Sequence, residues 1–356
     1  MQVIAGAEQG GAEAFFERLV PALSRAGVDQ YAAIRTHPAR AGKLGAAGVP
    51  VAQFRFGSPL DVSTRLGLRR LARRFRPDVV MTWMNRASRL CPRGPYVRLG
   101  RLGGYYDLKY YRGCDHLAIL TEDLKKHVVD NGFPADRVHC VPNFADETPA
   151  TPMARTAFET PETGRLILAA GRLHRNKGFD TLIRAMSRLP GTYLWLAGEG
   201  PERTALTELA TQLDVAGRVR FLGWREDVPA LLGAADVFVC SSRHEPFGSI
   251  LVEAWARAVP LIAAASQGPR AIMTDGVDGV LVPIDDADAL AEAIGRVLDD
   301  PALAKRLAAA GHAAYVARFS EAAVVRAYLD LFERLLGHPA DAARQPGETA
   351  AVAARP

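Results

Sequence analysis

Several features that would mark other classes of protein are missing from this 356-residue sequence. No run approaches the roughly 20 apolar residues that a membrane-spanning helix needs, and the first residues lack the basic and apolar regions of a secretory signal. The four cysteines form no close CxxC pair of the kind found in zinc and thioredoxin-like sites. No cluster of histidine, cysteine and aspartate suggests a metal site. We therefore expect a cytoplasmic protein with idle thiols and no resident metal.

The length and composition favour two globular α/β domains. The chain is long enough for about two domains of roughly 150 residues each. With 49% hydrophobic and 23% charged residues, it has the composition of a soluble globular protein. Short apolar runs alternate with amphipathic segments, a pattern typical of parallel sheets covered by helices. We predict two Rossmann-like, doubly wound domains that face each other across a cleft.

The predicted strands and helices are divided by a segment without periodicity. Strands are expected at residues 3–6, 30–34, 79–83, 116–120, 137–141, 166–170, 192–197, 219–222, 237–240, 261–264 and 280–282, and early helices at 12–25 and 121–131. We divide the chain into a first domain (1–147), a linker rich in Pro, Thr, Ala and Glu (148–163), a second domain (164–319), a C-terminal helix (320–336) and a flexible tail (337–356). Ser320 can cap that helix, whose apolar face is able to pack back on the first domain.

The first half of the chain is basic, and residues 65–112 contain many arginines and few acids. Arginines 69, 70, 73, 74 and 76 share a predicted helix with apolar residues at helical spacing. One interpretation is a crossover helix with a solvated basic face. The other is a surface for an anionic membrane or a phosphorylated acceptor. Nucleic acid is disfavoured because the region lacks interleaved aromatic residues and a recognition-helix context.

The most specific segment follows the strand predicted at 237–240. The turn at Pro246, Phe247 and Gly248 leads into a helix, so Gly248 and Ser249 lie near its N-terminus, where open backbone N–H groups favour phosphate. Glu245 precedes the turn and Glu253 lies in the helix. Two carboxylates so placed can accept hydrogen bonds from separate hydroxyl groups of an extended polyol ligand.

Three further loops also follow predicted strands of the second domain. In the loop 171–178, Gly171 permits a tight turn, while Arg172 and Lys177 offer a planar fork and a point cation for a diphosphate. This loop is not a Walker A motif, because the GxxxxGK[ST] order is missing. Gly198 and Gly200 follow the next strand, and Gly223 the one after. All these loops should converge on one edge of the second sheet.

Together these residues resemble a known family. Glu245 and Glu253 with seven residues between them, the EPFG turn, the Arg172/Lys177 pair and the run Val141-Pro142-Asn143 are similar to the retaining nucleotide-sugar glycosyltransferases of family 4. The resemblance covers residues 116–332 densely and extends to enzymes of bacterial lipopolysaccharide and exopolysaccharide synthesis. It implies the GT-B fold, with two Rossmann-like domains and the acceptor on the N-terminal side.

The resemblance also implies roles for individual residues. Positions matching Arg172 and Lys177 hold the donor diphosphate, the one matching Glu253 holds the ribose, and the one matching Glu245 contacts the transferred sugar. Gly10 and Gly11 match a loop that borders the donor and acceptor sites. The residues expected to bind the donor are Gly10, Gly11, Gly171, Arg172, Lys177, Gly198, Gly200, Gly223, Pro246, Phe247, Gly248, Ser249 and Glu253, and those expected to be catalytic are Glu245, Arg172 and Lys177.

The sequence departs from the family pattern at three places. The histidine that the family usually places beside the reacting sugar is absent from residues 96–111, where Arg101, Tyr105 or Asp107 are candidates for that space. Phe144 stands where glycine is usual, and Ala271 where glutamate is common.

The function expected from the resemblance is metal-independent, retaining transfer of a hexose from a nucleoside-diphosphate sugar to a hydroxyl of a growing glycan or lipid-linked acceptor. The triplet at residues 286–288 imitates a metal-binding DxD but directly precedes a helix, so we predict that it caps that helix. Two alternatives stay open, a nucleotide-sugar epimerase of similar fold and a non-catalytic two-lobed sugar-binding protein. The donor base, the sugar and the acceptor cannot be identified from these motifs.

Overall fold

The computed structural model describes residues 1–8, 10–57 and 61–337. These residues form two parallel β-sheets, each flanked by helices. The strands of the first sheet are β1 Gln2–Ile4, β2 Ala32–Arg35, β3 Val51–Phe54, β4 Val79–Trp83, β5 Val97–Arg101, β6 His116–Ile119 and β7 Val138–Cys140. Those of the second are β8 Arg165–Ala170, β9 Thr192–Ala197, β10 Val219–Gly223, β11 Val237–Cys240, β12 Leu261–Ala264 and β13 Val280–Val282.

Helices follow most strands in the pattern of crossover connections. The first domain, built on the first sheet, contains α1 Gly11–Arg25, α2 Pro38–Ala46, α3 Val62–Phe75, α4 Met84–Leu90 and α5 Glu122–Asp130. The second domain contains α6 Phe179–Met186, α7 Arg203–Gln212, α8 Val228–Ala234, α9 Ser249–Ala256, α10 Gln267–Ile272, α11 Ala287–Asp299 and α12 Pro301–Arg318. The last helix of the described residues is α13 Glu321–Leu335. No helix in these parts of the chain is long and apolar enough to cross a membrane.

Both sheets are doubly wound, as the sequence predicts. The first has the strand order β3-β2-β1-β4-β5-β6-β7 and the second β10-β9-β8-β11-β12-β13. The order reverses between β1 and β4 in one sheet and between β8 and β11 in the other. Ligands of such sheets bind outside the carboxyl ends of the strands at this reversal. The loops after β8 and β11 carry the Lys177 and Glu245 segments to that position.

Helix α13 joins the core of the first domain although it follows the second domain in sequence. Val324, Tyr328 and Leu331 are buried in the same apolar cluster as Phe15 and Trp83 of the first domain. The hydroxyl of Ser320 accepts a hydrogen bond from the backbone N–H of Ala323 and so begins this helix. The chain therefore crosses between the domains twice, once before β8 and once between α12 and α13.

The segment between the domains is attached to the second one. It is irregular apart from one short 3-10 turn, Arg155–Phe158. The Arg155 guanidinium donates to the Ala234 carbonyl and forms an ion pair of 2.8 Å with Asp236. Of the tail predicted for residues 337–356, all but Gly337 lies outside the described residues.

Two strands have no counterpart among the predicted ones. Strand β3 lies at the edge of the first sheet and is only half-buried, so its apolar pattern is weak. Strand β5 carries Arg98 and Arg101, which look like surface residues in the sequence, yet both side chains are buried.

Candidate active site

A cavity of about 190 Å³ lies between the two domains, where the carboxyl ends of both sheets face each other. Gly104 of the first domain approaches Pro246 of the second, and a Cβ atom on that glycine would lie 3.6 Å from the proline ring. The cavity is lined from the first domain by Gly11, Ala12, Phe15, Trp83, Met84, Arg101, Gly103, Tyr106, Leu120 and Asn143, and from the second by Glu245, Pro246, Phe247, Gly248 and Ser249.

In the second domain the site is formed by the loops after β8 and β11, which are joined by hydrogen bonds to backbone carbonyls. The Ser241 hydroxyl donates to the Lys177 carbonyl at 2.9 Å, and the Arg243 N–H donates to the Asn176 carbonyl at 2.8 Å. Gly178 has a left-handed φ of 61°, and a Cβ there would lie 2.1 Å from the Ser241 carbonyl oxygen. Only glycine allows the two loops to approach so closely.

Lys177 and Glu245 form an ion pair at the point where these loops meet. Their side chains are 25% and 13% exposed, so much of their water is displaced. Burial by itself lowers the pKa of Lys177, but the facing carboxylate of Glu245 outweighs this effect, and the pKa is raised. The ammonium group is thus held charged beside the cavity.

The turn before α9 directs the start of that helix toward the cavity. Gly248 has a left-handed φ of 87° and precedes Ser249, the first residue of α9. The turn is held from behind by α10, because the Gly268 N–H donates to the Glu245 carbonyl at 2.6 Å. A Cβ on Gly268 would lie 2.5 Å from the Phe247 carbonyl oxygen, so only glycine at this position allows α10 to pack against the turn. Gly268 is not among the residues that the sequence predicts to bind the donor.

Glu253 lies in α9 and faces the first domain. Its carboxylate is 3.8 Å from the guanidinium of Arg18 in α1. Burial raises the pKa of Glu253, and the charge of Arg18 opposes this shift. Arg18 is not among the predicted site residues, because it lies in an amphipathic helix that carries no recognisable motif. It lies near α9 only because of the way the two domains are arranged.

The predicted glycines of the second domain converge on the same sheet edge. A Cβ on Gly198 would lie 1.9 Å from the Gly171 carbonyl oxygen, and one on Gly200 would lie 2.3 Å from the Leu173 carbonyl oxygen. The Gly198 N–H donates to the Gly223 carbonyl at 2.7 Å. These residues pack the loops after β8, β9 and β10 against one another.

Three predicted residues remain, Arg172, Gly10 and Gly11, and among these three only Gly11 lines the cavity. Arg172 is exposed, and within the described ranges its side chain has no ion pair or hydrogen bond. Gly11 lines the cavity, whereas Gly10 precedes α1 and crowds the carboxylate of Glu13. That carboxylate accepts a 2.7 Å hydrogen bond from the Ala7 N–H and so joins the start of α1 to the residues that follow β1.

The three candidates for the place of the family histidine separate in the structure. Asp107 is exposed and paired with Lys109 at 2.6 Å. The Tyr105 hydroxyl donates to Asp123, and its ring lies 6.0 Å from that of His244. Only Arg101 of the three lines the cavity within the part of the chain that is described. Burial lowers the pKa of its guanidinium.

A second groove, of about 480 Å³, lies on the first domain beside the cavity. Tyr106 lines both hollows. The groove is lined by Tyr105, Tyr106, Asp107, Leu108, Lys109, Arg112, His127, Asn131, Gly132 and Phe133. Aromatic faces and polar groups are therefore available next to the Glu245 loop.

The Asp286–Asp288 triplet caps a helix, as predicted. The Asp286 carboxylate accepts hydrogen bonds from the N–H groups of Asp288 and Ala289 at the start of α11. Among residues 1–8, 10–57 and 61–337, no group of three or more His, Cys, Asp or Glu side chains is placed to hold a metal ion.

Two family models match most of the chain. The model for glycosyltransferase family 4 matches residues 9–148, and the model for glycosyl transferases group 1 matches residues 152–314. The chain is 41% identical to the lipopolysaccharide core biosynthesis glycosyltransferase LpsE of Rhizobium meliloti (strain 1021) over 330 residues, covering 91% of this chain and 96% of the relative. It is 40% identical to LpsD of the same organism, over 92% of this chain and 96% of LpsD.

A solved structure agrees in fold along nearly the whole chain. Anabaena Alr3699/HepE in complex with UDP superimposes with a TM-score of 0.81 at 19% identity, covering 94% of this chain and 99% of that one. The chain therefore belongs to glycosyltransferase family 4, and it is a glycosyltransferase with the GT-B fold.

Proposed function

We propose that this enzyme transfers a hexose, with retention of anomeric configuration, from a nucleoside-diphosphate sugar to a hydroxyl group of a lipopolysaccharide core-type acceptor. The observation that carries the proposal is the Lys177–Glu245 ion pair, which lies beside the start of α9 and next to a cavity lined by both domains. This arrangement places a cation, a carboxylate and open backbone N–H groups around one small volume.

The donor assignment rests on electrostatics. The Lys177 ammonium and the N-terminus of α9 both favour an anion at the cavity. As the sugar leaves, negative charge grows on the diphosphate, and preorganised donors in a site shielded from water stabilise that charge most effectively. We assign this task to Lys177, with Arg172 closing over the diphosphate from the exposed side. These cations make the proposed transfer independent of a metal. The UDP complex of the Anabaena protein of the same fold agrees with a nucleotide donor.

The two glutamates divide the rest of the donor between them in this proposal. Glu245 lines the cavity and contacts the transferred sugar, while Glu253 lies about one helical turn farther along α9 and binds the ribose. Carboxylate oxygens accept hydrogen bonds from sugar hydroxyls. Glu253 would exchange part of its contact with Arg18 for the ribose when the donor binds.

The acceptor is assigned from the relatives and from the groove on the first domain. LpsE and LpsD are named as lipopolysaccharide core glycosyltransferases, and each matches more than nine-tenths of this chain. The groove beside the cavity offers the rings of Tyr105 and Tyr106, which suit the apolar face of a sugar, and the cation Arg112. A glycan lying there would reach the cavity past Tyr106.

Peripheral contact with an anionic membrane is part of the same proposal. Arg65, Arg69, Arg70, Arg73, Arg74 and Arg76 at helix α3 are all exposed. None of these six forms an ion pair within the described residues. Val62 and Leu66 of the same helix are 61% and 46% exposed, which places apolar side chains among the arginines. Such a combination suits binding to the surface of an anionic bilayer.

The test is a mass-spectrometric screen of UDP- and GDP-sugars with lipopolysaccharide core acceptors, followed by NMR of the new glycosidic bond. The proposal expects one donor to yield a glycosylated acceptor with the anomeric configuration of the donor. An inverted product would refute retention. Conversion of the donor to an isomer without an acceptor would favour the epimerase alternative, and binding without turnover would favour the sugar-binding alternative.

A further inference from the structure

Arg101 is a buried charge without a carboxylate partner. It ends strand β5, is 3% exposed and lines the cavity between the domains. Its guanidinium lies 5.4 Å from the ring centre of Phe15 and 5.7 Å from that of Trp83. Within the described residues no carboxylate forms an ion pair with it, and its Nε atom is buried without a hydrogen-bond partner. Burying a charge in this way costs free energy of folding, a cost that proteins retain where the charge has a function.

Within the described residues the Arg101 guanidinium donates two hydrogen bonds, and one of them leads across the domain interface. Its Nη1 donates to the adjacent Leu102 carbonyl at 3.3 Å. Arginine can only donate, and its Nη2 donates to the Asn143 side-chain oxygen at 2.5 Å. This contact fixes the orientation of the Asn143 amide, whose Nδ2 must then point the other way. The Asn143 Nδ2 donates to the hydroxyl oxygen of Ser249 in the second domain at 3.1 Å.

The consequence concerns the proton of the Ser249 hydroxyl. Because this oxygen accepts from Asn143, its own hydrogen cannot point toward Asn143. No described acceptor is hydrogen-bonded to that hydroxyl on its other side. Ser249 lines the cavity and is the first residue of α9, where the helix N-terminus favours an anion. The hydroxyl hydrogen is therefore free to be donated to an anionic group in the cavity.

We propose that Arg101 is a positioning residue that acts through Asn143 to orient the Ser249 hydroxyl toward the donor diphosphate. The positive charge comes from the first domain and the hydroxyl from the second, so tight binding of the diphosphate requires the two domains in this arrangement. The inference rests on the proposed function, because it takes the anion to be the diphosphate of a nucleotide sugar.

The decisive variant is Asn143→Asp. An aspartate at this position can form an ion pair with Arg101, so a merely structural role of Arg101 predicts normal or improved binding. Its carboxylate cannot donate, however, and Ser249 must turn its hydroxyl hydrogen toward it. The proposal therefore expects the Kd for UDP or GDP, whichever the wild type binds, to rise about tenfold, the scale of one hydrogen bond to a charged group. The Kd for the matching nucleoside should stay unchanged.

A double-mutant cycle supplies the second measurement. Arg101→Met should weaken binding of the nucleoside diphosphate about tenfold and leave nucleoside binding unchanged. In the Ser249→Ala background the same substitution should have little further effect, because the hydroxyl that it orients is gone. If Arg101→Met does not fold, as a melting curve would show, the Asn143→Asp result decides.

If the wild type binds a nucleoside diphosphate, three outcomes would overturn the inference. These are additive losses in the cycle, wild-type affinity in Asn143→Asp, or equal losses of nucleoside and nucleoside-diphosphate affinity. A wild-type enzyme that binds no nucleoside diphosphate would overturn the proposed function and this inference with it. Normal diphosphate binding by the wild type combined with an additive cycle would overturn this inference alone.

Discussion

Removing the Lys177 ammonium should weaken diphosphate binding more than any loss of surface charge can. In Lys177→Ala the nucleotide-sugar diphosphate loses a hydrogen bond from a charged group whose side chain is only 25% exposed in the wild type. This interaction corresponds to roughly 1.5 to 3 kcal/mol, or about a 10- to 150-fold rise in the Kd of the nucleoside diphosphate. The variant also leaves the Glu245 carboxylate without its cation beside the bound anion, which adds repulsion.

That second effect can be measured separately. The double variant Lys177→Ala/Glu245→Gln removes the repelling carboxylate, so it should bind the nucleoside diphosphate better than Lys177→Ala alone. Arg175→Ala is the matched control, because Arg175 is an exposed cation in the same loop. Isothermal titration calorimetry with UDP and GDP provides the affinities. Unchanged affinity in Lys177→Ala, or an equal loss in Arg175→Ala, would remove Lys177 from the proposed site.

Three further expectations concern the glutamates, metals and the basic helix. Glu245→Gln should impair transfer more than it impairs binding of the bare nucleotide, whereas Glu253→Gln should lower nucleotide affinity because it loses the contact with the ribose. Enzyme kinetics and calorimetry test this division. An equal loss of nucleotide affinity in the two variants would contradict it. Transfer should survive EDTA, because cationic side chains neutralise the diphosphate, and activity restored only by Mg²⁺ or Mn²⁺ would disprove it. Replacing Arg69, Arg70 and Arg73 by Gln should reduce sedimentation with anionic vesicles and leave donor affinity intact. Raising the salt concentration from 0.1 to 1 M should similarly reduce sedimentation of the wild type, because the Debye length falls from about 10 to about 3 Å. Identical sedimentation of wild type and variant would mean that α3 is a solvated crossover helix.

Much of the fold could be predicted because its strands are short apolar runs bounded by loops. The predicted bounds of β4, β9, β11, β12 and β13 agree with the structure at both ends. Buried parallel strands need apolar residues on both faces, so they appear in the sequence as continuous runs rather than alternating ones. Strand β3 was not predicted, because a half-exposed edge strand does not need apolar residues on both faces.

The loops of the site could be predicted for a related reason. In a doubly wound sheet all the carboxyl ends point to one edge, so loops far apart in sequence must converge there. The ion pair between Lys177 and Glu245 and the close approach of Gly178 to Ser241 are both local to that edge. Contacts across the cleft follow no such rule. The pairing of Arg18 with Glu253 depends on how one domain sits on the other, which no periodicity encodes.

The basic stretch of the first domain shows why charge in a sequence does not locate charge in a structure. The arginines of α3 are exposed, but Arg98 and Arg101 in β5 are buried, and Arg101 lies beside the rings of Phe15 and Trp83. The exposed set is available to a large anionic surface and is screened by salt. The buried Arg101 lines a cavity of about 190 Å³, and its charge acts there with little screening. In the two proposals made above, one run of sequence serves two kinds of anion, and neutralising α3 should leave the action of Arg101 on the cavity intact.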